Sequence, residues 1–230
     1  MIARIRASTC YRYIRELAQA GLLSSSGGLY SLGHRIIRLD HQIRECDPLI
    51  GAARPFMQRL AGATGAGALL SSIYGDEIVN IHLESGDETP QQLLGRGRVM
   101  PLFRTATSRV IVATLPRGRL KRLYRQYGPG AAQSTASETT ASDWTRFSRG
   151  LAETRRQGWW VSHGEMEGSL EGIAAPVLGA PRDVAPAAVS LVFRPERYRM
   201  FDERRLGTEL AACGRAIGAE LSRRAGSGPA

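Results

Sequence analysis

The stretch from Ser8 to Gly33, STCYRYIRELAQAGLLSSSGGLYSLG, admits fewer folds than any other part of the chain. Tyr11, Ile14, Leu17 and Ala18 fall on one helical face, and Thr9, Arg12, Tyr13 and Glu16 on the opposite one. One face is suited to packing and the other to meeting a partner. Ser8 is the predicted N-cap, which leaves the first helical amides free to meet an anion, and Gly21 stands where a left-handed residue ends a helix. Leu22-Leu23 and Leu29 to Leu32 then read as two short strands around the turn Ser24-Ser25-Ser26-Gly27-Gly28. Helix, tight turn and hairpin make the second half of a winged helix, an outline that any amphipathic helix followed by any hairpin would share.

Charge separates these two readings only in part. The chain carries a net charge of +10, which suits a polyanionic partner, yet Lys121 is the only lysine among its 31 basic residues. So strong an arginine skew reflects composition more than design. Its distribution says more: residues 1–46 hold seven arginines against Glu16, Asp40 and Glu45, so positive charge is densest where phosphate contacts would need it. Cys10, Cys46 and Cys213 are far apart and odd in number, fitting neither a disulfide framework nor a zinc cluster. With no membrane-length apolar run and no signal peptide after Met1, the expectation is a cytoplasmic protein with no membrane partner.

Further along, HRIIRLDHQIREC (34–46) spaces Ile36, Ile37, Leu39 and Ile43 as a linker helix would. Asp47-Pro48 starts another helix to about Thr64, in which Pro55 predicts a kink or a broken turn. Leu69 to Ile73 and Ile78 to Leu83 read as a hairpin, with Val79, Ile81 and Leu83 on a buried face and Asn80 and His82 on a more polar one. Helices are predicted for Phe103 to Leu115, Arg117 to Tyr127 and about Ser142 to Gln157, and strands near Trp159 to Ser162, Gly172 to Leu178 and Ala187 to Phe193. Residues 128–141 read as a flexible loop. A last helix, Asp202 to Arg224, carries Leu206, Leu210, Cys213, Ile217 and Leu221 as an apolar stripe, and the tail GSGPA reads as disordered.

Catalytic constellations are missing from the sequence. There is no Gly-x-Ser-x-Gly, no Walker loop and no His-Glu-x-x-His, and the four histidines have no ligand spacing. Glu165 and Glu167 are close in sequence, but neighbouring carboxylates on a loop are mostly solvated. No cofactor or metal is implied.

The Ser-Thr-x-Tyr-Arg start, the Ala-Gly-Leu-Leu end and the Tyr-x-Leu-Gly wing exit resemble, in this order, the DNA-binding domain of the IclR (isocitrate-lyase-regulator) family of bacterial transcription factors. MPLFRTATSRV (100–110), GWWVSHGEMEGSLEGIAAPV (158–177) and AAVSLVF (187–193) resemble three segments that line one cavity in that family's effector-binding domain. The resemblance implies an α/β (α+β) fold: a partial winged helix-turn-helix at 1–33, a linker helix at 34–47, and a GAF-like effector domain with an antiparallel sheet at 48–225. The seven residues before Ser8 are too few for the two helices that normally precede the recognition helix, so the reading head is expected to be truncated.

Matched motif by motif, the resemblance implies DNA contacts at Ser8, Thr9, Arg12, Tyr13, Arg15, Ser25 and Ser26. Ligand contacts would fall at Thr105, Ala106 and Thr107 in a helix start, at Ser162 and Glu165 in a loop, and at Gly172, Ser190 and Val192 on strands. Strand alternation independently puts Ser190 and Val192 on one face. The chain departs from the family at Ser108-Arg109, where a Gly-Lys pair is usual, at the neutral Ser162 and at the bulky Phe193, which implies a less polar pocket. The expected protein is a homodimeric or homotetrameric regulator that binds a double-stranded DNA operator and senses a small organic acid through hydroxyls, amides and Arg104 or Arg109. The alternative is a small-molecule-binding protein with a vestigial DNA-binding half. A GAF-like enzyme is disfavoured, since none of the three cysteines falls in a pocket segment.

Overall fold

The computed structural model describes residues 6–89, 95–128, 144–164 and 170–226. The chain divides into two compact units, Met1–Asp47 and Pro48–Ala230.

The first unit contains helix α1 (Ala7–Gln19), strands β1 (Leu23–Ser26) and β2 (Leu29–Leu32), and helix α2 (Arg35–Cys46). Helix α1 starts two residues earlier than the sequence predicts: Arg6 is the N-cap, no side chain caps it, and Ser8 lies inside the first turn. Ser8 therefore cannot act as the cap, because its own backbone is already helical. At the other end Gly21 has φ +70°. The Gly21 amide donates to the Ala18 carbonyl and the Leu22 amide to the Leu17 carbonyl, a Schellman closure that only a left-handed residue permits without strain. The predicted five-residue turn is tighter. Ser24, Ser25 and Ser26 belong to β1, and Gly27 and Gly28, with φ +58° and +80°, form the turn alone. Two consecutive positive φ values match the right-handed twist of the strands, so Gly-Gly sets the register Ser25↔Tyr30 and Ser26↔Leu29.

The second unit is built on a six-stranded antiparallel sheet, in the order β5-β4-β3-β8-β7-β6. Its strands are β3 (Gly67–Tyr74), β4 (Glu77–Glu84), β5 (Val99–Met100), β6 (Trp160–His163), β7 (Glu171–Pro176) and β8 (Ala187–Phe193). Helices α3 (Pro48–Thr64) and α8 (Glu203–Gly226) cover one face, burying Met57, Leu70, Val189, Leu191, Phe193, Leu210 and Ile217 in one cluster. Helices α4 (Ala106–Thr114), α5 (Arg117–Tyr127) and α6 (Trp144–Gln157) belong to the other side, where Ile73, Ile78, Val110, Ile111, Leu123, Leu151, Ala174 and Ala188 form a second cluster. A short helix, α7 (Pro195–Tyr198), precedes α8. This is the mixed α+β fold with an antiparallel sheet that the sequence implies.

Three local differences have physical causes. Pro55 lies inside α3, which nevertheless runs unbroken from Pro48 to Thr64. Burial of Leu49, Ile50, Ala52, Ala53, Met57 and Ala61 along its inner face outweighs the one hydrogen bond that proline deletes. Helix α4 begins at Ala106 rather than Phe103, because the Thr105 hydroxyl accepts from the Ser108 amide and caps it there. Finally, the β3–β4 pairing shifts between Leu70↔His82 and Ser71↔Asn80, leaving Ile81 as a bulge. The shift breaks simple alternation, so Asn80, predicted on the polar face, is only 1% exposed.

Candidate functional site

In the first unit the side chains predicted to meet DNA belong to α1 and β1. Arg12, Tyr13 and Arg15 are exposed, and the Arg12 guanidinium lies 5.5 Å from the centre of the Tyr13 ring. Ser8 is exposed in the first turn, Thr9 is half-buried, and Ser25 and Ser26 are exposed on β1. The face predicted to pack is open too: Tyr11 is 70% exposed, and Ile14 and Ala18 are only half-buried. Gly33 is the one buried residue among the described residues of this unit. Its amide donates to the Leu22 carbonyl, and a side chain there would collide with the Gly21 carbonyl, so the wing exit is tied to the end of α1.

The second unit brings the predicted ligand residues together by register. Ser162 pairs with Gly172 across β6–β7, Gly172 with Val192 across β7–β8, and Val192 with Gly67 across β8–β3. These residues form one row across four strands. In the adjacent row of the same face, Trp160, Ala174, Ser190, Leu69 and Leu83 succeed one another. Ser162 is thus on a strand and buried, not in a loop, because its pairing with Gly172 extends the sheet. Gly172 is needed for that closeness: a Cβ there would lie 2.9 Å from the Ser162 hydroxyl oxygen. Helix α4 packs on β6, β7 and β8, and its Ala106 shares a cluster with Ala174 and Ala188. Glu165 lies outside the described residues.

Polar groups on this face are few and buried. Thr105, Thr107, Ser162 and Ser190 are all nearly inaccessible. The Thr105 hydroxyl is committed to the helix cap, accepting from the Ser108 amide at 3.1 Å and donating to Ser108 Oγ at 3.0 Å. Ser190 Oγ, by contrast, is buried without a hydrogen-bond partner, and so is Asn80 Nδ2. Buried polar atoms are almost always paired, so these two mark where the unit has hydrogen-bonding capacity left over. Sequence reasoning missed Asn80, because no sequence signal revealed the bulge that turns it inward. Phe193, expected to make the pocket less polar, points to the opposite face and packs against Tyr198 and Phe201 at 5.6 and 5.4 Å between ring centres. Arg109 stays on the α4 side but is already engaged, 3.7 Å from the centre of the Trp160 ring and donating to Thr154 Oγ1 at 3.1 Å.

A cavity of about 710 Å³ lies toward the other end of α4, lined by Val110, Leu115, Leu120, Leu151 and Pro176 with Arg117 and Arg155 among them. None of the predicted ligand residues lines it. Its walls leave no described buried polar atom unpaired, whereas the sheet face has two. The unpartnered Ser190 Oγ and Asn80 Nδ2 therefore lie on the sheet face and not around this cavity. The strong shifts lie elsewhere: burial and Glu203 push the Tyr198 phenol far up, and burial raises Cys213 to about 11. Among the described residues no cluster of His, Cys, Asp and Glu could hold a metal ion, and no helix is long and apolar enough to cross a membrane.

Comparison with known proteins places this arrangement. Residues 42–219 match the family described as bacterial transcriptional regulator IclR C-terminal. The Pca regulon regulatory protein of Pseudomonas putida is 27% identical over 177 residues, a match spanning 76% of this chain but only 60% of that protein's length. In three dimensions the chain is similar to an IclR transcriptional regulator from Alicyclobacillus acidocaldarius, with a TM-score of 0.72 and 22% identity over 94% of this chain and 86% of that one. It is also similar to an IclR homologue from Microbacterium hydrocarbonoxydans solved with 4-hydroxybenzoate, with a TM-score of 0.69 and 21% identity over 95% and 87% of the two chains. At these identities the structures speak for the fold alone, while the family match covers over three quarters of the sequence: this chain belongs to the IclR family of bacterial transcriptional regulators.

Proposed function

We propose that this chain is a DNA-binding, ligand-responsive transcription regulator that works as a homo-oligomer and senses a small organic acid. The observation that carries the sensing role is Ser190 Oγ, buried, unpartnered and on the sheet face that α4 covers. A carboxylate placed between Ser190 and the first turn of α4 would accept from that hydroxyl, from the Thr107 hydroxyl and from the amides of Ala106 and Thr107. It would also meet the positive end of the helix dipole. Ser162, Gly172 and Val192 would bound the same site. Val192, Leu69, Leu83 and Leu170 form a separate apolar cluster on this part of the sheet, which suits an aromatic or aliphatic body. The 4-hydroxybenzoate bound by the Microbacterium hydrocarbonoxydans homologue has this chemistry and is the natural first probe.

The DNA-binding role rests on α1, whose Arg12 and Tyr13 would enter a major groove while Thr9, Arg15, Ser8, Ser25 and Ser26 meet base edges or phosphates. Ligand binding would shift the populations of subunit arrangements and so operator affinity. A second reading, an effector-binding protein with a vestigial DNA-binding half, draws on the near absence of buried residues in the first unit. One thermal-shift screen of small organic acids, 4-hydroxybenzoate included, tests the sensing role. At least one acid is expected to raise the melting temperature at millimolar concentration, and Ser190→Val to abolish that rise. No stabilising acid, or a rise untouched by Ser190→Val, would sink the assignment.

A further inference from the structure

The sheet face beneath α4 is divided. Toward one side it carries Ile73, Ile78 and Met100, and toward the other Leu69, Leu83, Leu170 and Val192, which belong to separate apolar clusters. Between them runs a row set by pairing, Asn80 on β4, Ser71 on β3 and Ala188 on β8. Asn80 is held there from three directions. Its amide donates to the Arg98 carbonyl at 2.9 Å, its carbonyl accepts from the Gly97 amide at 2.7 Å, and its Oδ1 accepts from the Ser71 hydroxyl at 2.8 Å.

This last bond also fixes which end of the side-chain amide is left over. Turned the other way, the amide would leave the Ser71 proton without an acceptor, so the network favours Oδ1 toward Ser71 and Nδ2 toward open chemistry. Nδ2 is then a buried, immobile donor with no partner. Such a group is met by a ligand or by an ordered water, and buried donors left with neither are rare.

Asn80 and Ser190 stand on the same face but are not neighbours. Two strand spacings and two residues along the strand separate them, about 12 Å between Cα atoms. Both side chains leave the sheet on the same side, so only the two hydrogen bonds, about 3 Å each, shorten that span, and the roughly 6 Å left matches the distance between oxygens at opposite ends of one aromatic ring. We infer that Asn80 is a specificity-determining residue of the effector site, donating from Nδ2 to an oxygen at the end of the ligand remote from its carboxylate. The site thereby selects acids with a second acceptor one ring away over simple monoacids. This inference rests on the proposed acid-sensing role of Ser190 and the start of α4.

Calorimetric titration of the full chain with 4-hydroxybenzoate and with benzoate separates the two claims. The unaltered chain is expected to bind 4-hydroxybenzoate at least about tenfold more tightly than benzoate, the usual worth of one buried hydrogen bond. Asn80→Val is expected to bring that preference to within about threefold of unity. Asn80→Ala, which fits the same space without branching, gives the same readout if the valine variant fails to melt cooperatively. Binding of both acids that Ser190→Val weakens, with a preference that neither Asn80 variant changes or with no preference at all, would overturn the role of Asn80 and leave the acid site standing. Failure of both acids to bind the unaltered chain would overturn the acid site, and this inference with it.

Discussion

Glycine spacing along α8 shows how one missing Cβ can decide packing. Gly207 lies against the Trp159 indole, Gly214 against the Pro176 carbonyl and Gly218 against the Leu178 carbonyl, each so closely that a Cβ would overlap its neighbour. The sequence drew attention to the apolar stripe Leu206, Leu210, Cys213, Ile217 and Leu221 and not to these glycines. A glycine in a helix costs about 1 kcal/mol against alanine, so its presence at contacting positions has a steric reason. Gly218→Ala is expected to destabilise the protein by about 1–3 kcal/mol, since the backbone carbonyl it meets cannot move aside. Gly62→Ala on α3, where nothing lies within 4 Å of the new methyl, is expected to stabilise by about 0.5–1 kcal/mol. Urea denaturation of the two variants measures both signs, and two changes of the same sign would refute the steric account.

At the scale of elements, α3 holds together across a residue that should interrupt it. Pro55 is exposed and has no amide to offer the Gly51 carbonyl one turn back, yet the helix continues for nine residues beyond it because its inner face is buried against α8 and the sheet. Helix formation here is imposed by tertiary packing against a local penalty. Replacing Pro55 with alanine restores the missing bond, and a gain of about 1–3 kcal/mol in unfolding free energy is expected. A lower melting temperature would show instead that the docking of α3 requires the bend that proline imposes. The hairpin β1–β2 is the opposite case: two glycines with positive φ specify it locally, while Leu29 at 77% exposure contributes almost no packing.

For the whole molecule, the two units differ in how much burial supports them. The second has two large apolar clusters, one on each face of its sheet, whereas in the first Gly33 is the single buried residue among those described. Local opening free energy follows buried contact density, so amide exchange should separate the units. Amides of α1 and α2 are expected to exchange orders of magnitude faster than those of the central strands β3 and β8 in the free protein. Hydrogen–deuterium exchange read by mass spectrometry checks this. Equal protection across both units would mean that the first acquires its packing from another chain, as a homo-oligomer would supply.

How much of this was legible in the residues depends on how local the cause was. Gly21 ending α1, Gly27-Gly28 turning the hairpin, and Ser190 and Val192 sharing a face follow from backbone sterics and a two-residue period, which act within a few positions of the chain. The motifs around Thr105, Ser162 and Ser190 likewise carried the family from sequence alone. Ser162, which the two-residue period put at the end of a strand and the motif match put in a loop, is on the strand, and Gly172, ten residues away, leaves room for its side chain. Phe193 left the expected pocket because a strand sends alternate residues to opposite faces. Asn80 was out of reach of any periodic reading: the bulge at Ile81 moves the register by one residue, and only the pairing of β4 with β3 fixes where that bulge falls. The sequence by itself therefore determined the main elements, the ends that glycines set, and the family. The tertiary structure decided which polar side chains were buried on the sheet face beneath α4, because burial there is set by contacts between strands and helices distant in the chain.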